Sequence, residues 1–172
     1  MKITCLSLNT LFEQIRNGEH EDSFLILISS FARIPEIEEL RLNKQRFAEF
    51  HFIDDVDGDY CISKAEAHRI LDILDRCSDN DIDVVVSCDG GISRSAAIAG
   101  FAEVFFCGKN SVTSKIWNNP TKTPNELVLA TLLCEFGSMR GIDDAFLHKT
   151  TELIRCIGAN AVAYDRENLM PL

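Results

Sequence analysis

Residues 84–95 read Val-Val-Val-Ser-Cys-Asp-Gly-Gly-Ile-Ser-Arg-Ser, an apolar run that ends in a cysteine with an arginine six positions on. The β-branched run is typical of a strand covered on both faces. Gly90 and Gly91 supply the backbone freedom that a tight turn needs. The nearly all-apolar stretch from Ser95 to Phe106 then predicts a buried helix. Such a strand, glycine loop and helix N-terminus predict an anion site, because backbone N–H groups and a positive dipole end converge there.

The cysteine and the arginine give this loop its chemistry. A helix N-terminus lowers the pKa of a cysteine and so favours its nucleophilic thiolate. The planar guanidinium of Arg94 can bind two phosphate oxygens at once. The spacing alone is a weak signal, since seven cysteines and many arginines make a chance match common. The competing interpretation, an inert strand cysteine and an unrelated surface arginine, ignores the setting of strand and helix.

The segment resembles the active-site loop of the cysteine-dependent protein tyrosine phosphatases, in their dual-specificity branch. The family pattern is His-Cys, five residues, Arg, then Ser or Thr. Cys88, Gly91, Arg94 and Ser95 match it, whereas Ser87 stands where the family usually has histidine. The resemblance implies a phosphate monoester hydrolase that forms a cysteinyl-phosphate intermediate and needs no metal or other cofactor.

The resemblance also assigns roles within the loop. Cys88 is the nucleophile, and Ser95 donates a hydrogen bond to the thiolate as it leaves. The phosphate-binding residues that it implies are Asp89, Gly90, Gly91, Ile92, Ser93 and Arg94. Because Ser87 replaces the usual histidine, a catalytically inactive, phosphate-binding pseudophosphatase stays open as the alternative. A sulfurtransferase or an arsenate-reducing enzyme could use a similar loop, but the Arg-Ser-Ala helix start and the mid-chain cysteine are less typical of them.

Cleavage of a phosphate monoester requires a proton for the leaving oxygen. The resemblance implies that an aspartate roughly thirty residues before the cysteine supplies it as general acid. Asp54, Asp55 and Asp57 follow the predicted strand Phe47–Ile53, and Asp55 lies 33 positions before Cys88. We predict that Asp55 is the general acid, with Asp54 and Asp57 as alternatives.

Residues 55–66 support a different hypothesis, a calcium-binding loop of the EF-hand type. Acidic residues occupy loop positions 1, 3, 5 and 12 of this stretch. They are Asp55, Asp57, Asp59 and Glu66. Three observations count against calcium: Tyr60 stands at position 6, where glycine is needed, a strand rather than a helix precedes the loop, and the chain has no second such loop.

Composition limits the remaining function classes. A chain of 172 residues with 46% hydrophobic residues predicts a single domain over 1–172 with a full core. Seven cysteines without a Cys-x-x-Cys pair fit a reducing compartment. Without an apolar leader or span, we expect a cytoplasmic protein that is not membrane-bound. A net charge of −10 argues against nucleic acid and anionic membranes as partners.

The expected partner is therefore a phosphorylated protein or a small phosphoester. Asp89 within the loop disfavours polyanionic substrates, so a phosphotyrosine or phosphoserine/threonine protein is the preferred interpretation. The sequence leaves the oligomeric state open. No histidine stands at metal-ligand spacing with the cysteines, so we predict no metal site.

The rest of the chain alternates strand-like and helix-like stretches. Further strands are predicted at Lys2–Leu8 and Phe24–Ile28. Helices are predicted at Phe12–Asn17, after a capping box at Ser63–Glu66, after a second capping box at Thr123–Glu126, and at Asp143–Ile157. This layout predicts an α/β fold: a small, mainly parallel sheet flanked by helices, of the protein tyrosine phosphatase type, with a helical C-terminal part.

Overall fold

The computed structural model describes residues 1–30, 34–55, 60–109 and 113–142. Strands and helices alternate along these ranges. In chain order they are β1 (Ile3–Ser7), α1 (Leu8–Arg16), β2 (Phe24–Ser29), α2 (Ile37–Leu42), β3 (Arg46–His51), α3 (Lys64–Asp79), β4 (Val84–Cys88), α4 (Arg94–Phe105) and α5 (Glu126–Arg140).

The four strands of the described ranges form one sheet in the order β1-β4-β2-β3, and every neighbouring pair is parallel. Cys88 at the end of β4 pairs with Ser7 of β1 on one side and with Ile28 of β2 on the other. The carboxyl ends of three strands therefore meet around Cys88, which is where open parallel sheets bind ligands. This arrangement confirms the predicted α/β fold with a mainly parallel sheet.

Helices cover both faces of the sheet. Leu25, Leu27 and Val85 pack in one apolar cluster with α1 and α2. Ile26 and Val86, one residue along, pack in the other cluster with α3, α4 and α5. Successive side chains of a strand point to opposite faces, so residues 24–28 of β2 and 84–86 of β4 are apolar on both faces. The unbroken valine run of β4 is explained by this double cover.

The N-terminal helix corrects one prediction. α1 begins at Leu8, directly after β1, so the predicted strand to Leu8 is one residue too long and the helix predicted from Phe12 begins four residues too late. The cause is Ser7, whose Oγ accepts a hydrogen bond from the Thr10 backbone N–H at 3.1 Å. This N-cap ends the strand and starts the helix without a connecting loop. The short helix α2 was not predicted.

The capping boxes had different outcomes. The one at Ser63 is confirmed: Ser63 Oγ accepts from Glu66 N at 3.2 Å, and Glu66 Oε2 accepts from Ser63 N at 2.8 Å. The one at Thr123 is wrong, because Asn125 caps α5 and its Oδ1 accepts from Val128 N at 3.0 Å. The Thr123 backbone N–H instead donates to Ile92 O in the cysteine loop, at 3.1 Å. The helix predicted at 143–157 lies outside the described residues.

Along the described ranges, no helix combines the length and the apolar character needed to span a membrane. The same ranges hold no group of His, Cys, Asp and Glu side chains arranged to bind a metal ion. Residues 56–59 of the EF-hand-like loop are outside these ranges. Glu66, its predicted twelfth-position ligand, lies inside them and caps α3 through its carboxylate.

Candidate active site

The loop from Cys88 to Arg94 connects the end of β4 to the first turn of α4. Gly91 lies at its centre with a φ of 67°, and a Cβ there would lie 2.3 Å from Ser7 N and 2.5 Å from the Leu6 carbonyl carbon. The loop therefore packs directly on the backbone where β1 ends. Only glycine fits this position, both for its conformation and for its lack of a side chain.

The sulfur of Cys88 lies in a chain of hydrogen bonds. Cys88 is 1% exposed, and its Sγ lies 3.0 Å from Ser95 Oγ. Cys5 Sγ, on β1, donates to the same Ser95 Oγ at 3.4 Å. Burial raises the pKa of Cys5, so this residue stays a thiol and acts as a donor. The Ser95 hydroxyl, with its oxygen accepting from Cys5, can turn its proton toward Cys88 and stabilise a thiolate there.

Ser87, which precedes the candidate nucleophile, is fully buried. Its Oγ donates to the Leu6 carbonyl oxygen at 3.0 Å. The hydroxyl thus ties β4 to β1. The resemblance marks position 87 as unusual, and in the structure its serine joins two strands.

Arg94 is the buried cation of the site, with 3% of its surface exposed. Its Nη1 donates to Ser30 Oγ at 2.9 Å and to Phe52 O at 2.7 Å, and its Nη2 donates to Asp89 Oδ2 at 2.7 Å. Its Nε is buried without a hydrogen-bond partner among the described residues. Asp54 Oδ2 lies 3.9 Å from Nε. A buried N–H without a partner is costly, so Nε is suited to donate to a bound oxyanion.

Asp89 supplies an anion from within the loop itself. Its Oδ2 accepts from Arg94 and also from the backbone N–H and the hydroxyl of Ser30, at 3.2 and 3.0 Å. Partial burial acts to raise the pKa of Asp89, but the hydrogen bonds from Arg94 and Ser30 outweigh it and lower the pKa overall. Asp89 therefore stays a carboxylate and accepts a hydrogen bond from Nη2 of Arg94.

The structure brings Asp54 to the loop and places Asp55 beside it. Asp54 Oδ1 accepts from Ser93 Oγ at 2.7 Å and from Asn125 Nδ2 at 2.9 Å. Asp55 is exposed, and its backbone carbonyl also accepts from Asn125 Nδ2, at 3.1 Å. Asp57, the other alternative for the general acid, lies outside the described residues.

Three residues that sequence reasoning missed hold the site together. Ser30 contacts both Arg94 and Asp89, Asn125 contacts the Asp54–Asp55 segment, and Lys122 Nζ donates to Gly91 O. Ser30 had a recognisable signal. It is a polar residue directly after the end of β2, so it lies at the same sheet edge as the cysteine. The other two come from a segment without regular structure and had no such signal.

No family model matches the sequence, and no curated protein does. Solved structures do match. Human DUSP28 superposes with a TM-score of 0.60 at 13% identity, over 82% of this chain and 95% of that one. DUSP15 gives 0.58 at 16% identity, over 87% and 90%. The human tyrosine phosphatase-like serine/threonine/tyrosine-interacting protein gives 0.52 at 16% identity, over 78% and 86%. At these identities the likeness establishes the fold, and the chemistry has to be argued from the site.

Proposed function

Since the chain has the fold of the dual-specificity protein phosphatases, we propose that it is a cysteine-dependent phosphate monoester hydrolase acting on phosphorylated protein. The observation that carries this proposal is the pairing of the Cys88 sulfur with the unpartnered Nε of Arg94 around one anion-binding loop. The loop amides, the N-terminus of α4 and this N–H all offer donors for phosphate oxygens.

The mechanism has two steps. In the first, Cys88 as thiolate attacks phosphorus in line, an S–P bond forms, and the P–O bond to the leaving group breaks. Asp55 gives its proton to the departing oxygen. In the second, Asp55 takes a proton from water, the oxygen of that water attacks phosphorus, and the S–P bond breaks to release phosphate. Ser95 stabilises the thiolate that departs.

Asp54 and Asp55 divide the work in this proposal. Asp54 anchors the acid segment, because donors from Ser93 and Asn125 both bind its Oδ1. Asp55, exposed beside it, carries the proton. Asp55→Asn should slow esters with poor leaving groups much more than esters with good ones, since a good leaving group departs without a proton. Asp54→Asn should slow both alike, and the opposite pattern would move the acid role to Asp54.

The surroundings of the loop favour a protein substrate. A cavity of about 330 Å³ opens beside Asp89 and extends to Glu36. Its walls include the apolar side chains of Leu8, Phe12 and Ile34. A cavity with apolar walls and two carboxylates disfavours inositol polyphosphates through charge repulsion. It can accept the uncharged flank of a phosphopeptide.

The pseudophosphatase alternative rests on two contacts. Asp89 occupies Arg94 Nη2, and the Ser87 hydroxyl is bonded to Leu6 O rather than near the sulfur. Arg94 Nε would still be available to a phosphate despite competition from Asp89 at Nη2, while turnover would be weakened. Binding of phosphate without hydrolysis would therefore select this alternative.

The test measures release of p-nitrophenol from p-nitrophenyl phosphate, with EDTA present throughout. Wild type should turn over, Cys88→Ser should not, and Cys134→Ser should match wild type, because Cys134 is exposed on α5 far along the chain from the loop. Phosphotyrosine, phosphoserine and phosphothreonine peptides then rank the substrates. If neither the chromogenic ester nor any of these peptides is hydrolysed in a cysteine-dependent way, the enzyme proposal fails.

A further inference from the structure

A second cavity, of about 350 Å³, opens at the opposite edge of the sheet, where β2 and β3 begin. Apolar side chains form its floor, among them Phe24, Ala48 and Ile73. Phe24 pairs with Val84, four residues before Cys88 along the strand, so about 13 Å of extended chain separates the cavity from the candidate nucleophile. The two sites can therefore be occupied and tested independently.

Three arginines surround this cavity: Arg46 from β3, and Arg69 and Arg76 from α3. No acidic residue lines it, although the chain carries 27 acidic residues against 17 lysines and arginines. Within the described residues, none of the three guanidinium groups lies in ion-pair distance of a carboxylate. Arg16 and Arg41, by contrast, are paired with glutamates. A cluster of arginines without carboxylate partners is suited to bind an anionic ligand.

Each arginine is partly held in place and keeps donors to spare. Arg76 Nε donates to the Asp72 carbonyl oxygen at 3.0 Å, and both of its terminal nitrogens are left over. Arg46 uses one terminal nitrogen on the Asp22 carbonyl oxygen. Arg69 lies over an aromatic ring, 5.0 Å from the ring centroid. Because a guanidinium presents a planar fork, such preorganised groups suit the paired oxygens of phosphate or carboxylate.

The pKa of Cys77, on the floor of the cavity, is affected by the charges of these arginines. Its side chain is 3% exposed, and burial raises the pKa of its thiol. Arg46 and Arg76 both act against that rise, so two of the cations act on the same point of the floor. The cavity thus combines an apolar base with a positive rim.

We propose that this cavity binds an organic anion in which an aromatic ring carries a phosphate or carboxylate group, at a site separate from the Cys88 loop. The ring lies on the floor formed by Phe24, Ala48 and Ile73, and the charged oxygens meet the arginine rim. Burial of the ring adds to the affinity that the charge alone provides, so ring and charge on one ligand bind better than either alone.

The experiment is an NMR titration of the ¹⁵N-labelled Cys88→Ser protein, which cannot consume the probe. Phenyl phosphate is the main probe, benzoate tests a carboxylate, and inorganic phosphate tests charge without a ring. Amide signals of residues 22–24, 46–48 and 76–82 report the cavity, and those of 88–95 report the loop. Arg46→Gln/Arg76→Gln removes two of the charges, and Arg41→Gln, an exposed arginine on α2, is the matched control.

We expect saturable shifts at the cavity amides with phenyl phosphate or benzoate, affinity at least tenfold lower in the double variant, and no change in Arg41→Gln. An Arg46→Lys/Arg76→Lys variant keeps the charge without the fork and should bind with intermediate affinity. It also serves if the glutamine variant proves unfolded in a melting curve. The proposal is overturned if the cavity amides do not respond, if the double variant binds as well as its parent, or if inorganic phosphate binds as tightly as phenyl phosphate. The response of the loop amides of 88–95 tests phosphate binding at the proposed catalytic site and has no bearing on the cavity.

Discussion

Replacement of Asp89 by asparagine tests whether the loop carries its own competitor for phosphate. The Asp89 carboxylate accepts a hydrogen bond from Arg94 Nη2 at 2.7 Å. A bound phosphate must either displace this carboxylate or share Arg94 with it, and both anions repel each other. Asp89→Asn keeps the shape of the side chain and removes its charge. We therefore expect the variant to bind inorganic phosphate more tightly than wild type.

The magnitude follows from the exposure of the pair. A hydrogen bond to a charged group contributes about 1.5–3 kcal/mol when it is shielded from water. The Asp89 side chain is 37% exposed, so solvent screening reduces this to about 1 kcal/mol. About 1.4 kcal/mol corresponds to a factor of ten in affinity, so the dissociation constant should fall about fivefold. The assay is a phosphate titration followed at the amides of residues 88–95. Asp79→Asn, at the C-terminal end of α3, is the control.

The lowered pKa of Asp89 adds a pH signature. A carboxyl whose pKa is lower in the folded state stabilises that state above its unfolded pKa, about 4 for aspartate, and the stabilisation is lost as the pH falls through the folded value. The variant should therefore melt below wild type at pH 7, and the two should converge below about pH 4. Weaker phosphate binding by Asp89→Asn would refute the reasoning, because it would mean that Asp89 prepares Arg94 for the substrate instead of competing with it.

Three further predictions concern single positions. Gly91→Ala should lower the free energy of unfolding by at least about 2 kcal/mol because its Cβ would overlap the β1 backbone. Gly90→Ala is the control, since only the Ile92 side chain lies near its Cβ. It should unfold like wild type in denaturant titrations. Ser95→Ala should slow breakdown of the cysteinyl phosphate about 100-fold. Rapid-mixing kinetics should then show a burst of p-nitrophenol followed by a slow steady state. An unchanged steady-state rate would contradict the role of Ser95 in stabilising the departing thiolate. The hydrogen bond that His68 Nδ1 donates to the Glu135 carboxylate raises the pKa of His68. The pair therefore stabilises the fold below about pH 6.5 and loses this effect as the pH rises through the raised value. The difference in melting temperature between wild type and His68→Gln should accordingly be larger at pH 6 than at pH 8.5, and an equal difference would contradict this.

The sequence predicted the features that depend on neighbouring residues. The valine run, the two glycines and the all-apolar helix are local signals, and each corresponds to an element of the structure. Parallel strands then bring Cys88 to the edge where ligands bind, which the βα alternation implied. The capping box at Ser63 was recognised for the same reason, since both of its partners lie within one helical turn.

Other features depend on segments that meet only in the folded chain. Ser30 reaches Arg94 from 64 residues away, and no pattern near either residue predicts that contact. The cap of α5 was assigned to Thr123 because that position has a valid local pattern. Its backbone N–H is instead engaged by the cysteine loop. The six residues of α2 were too few for a helical period to be recognised.

Asn125 shows how strictly this arrangement limits the substitutions open to the chain. Its Oδ1 accepts from Val128 N to start a helix, while its Nδ2 donates to Asp54 Oδ1 and Asp55 O. Aspartate or serine would retain the acceptor and give up the amide donor, and a longer glutamine side chain would displace both groups. One amide thus joins the stability of α5 to the position of the Asp54–Asp55 segment. Because aspartate or serine could still cap α5, the requirement for asparagine comes from its donor contacts with the Asp54–Asp55 segment.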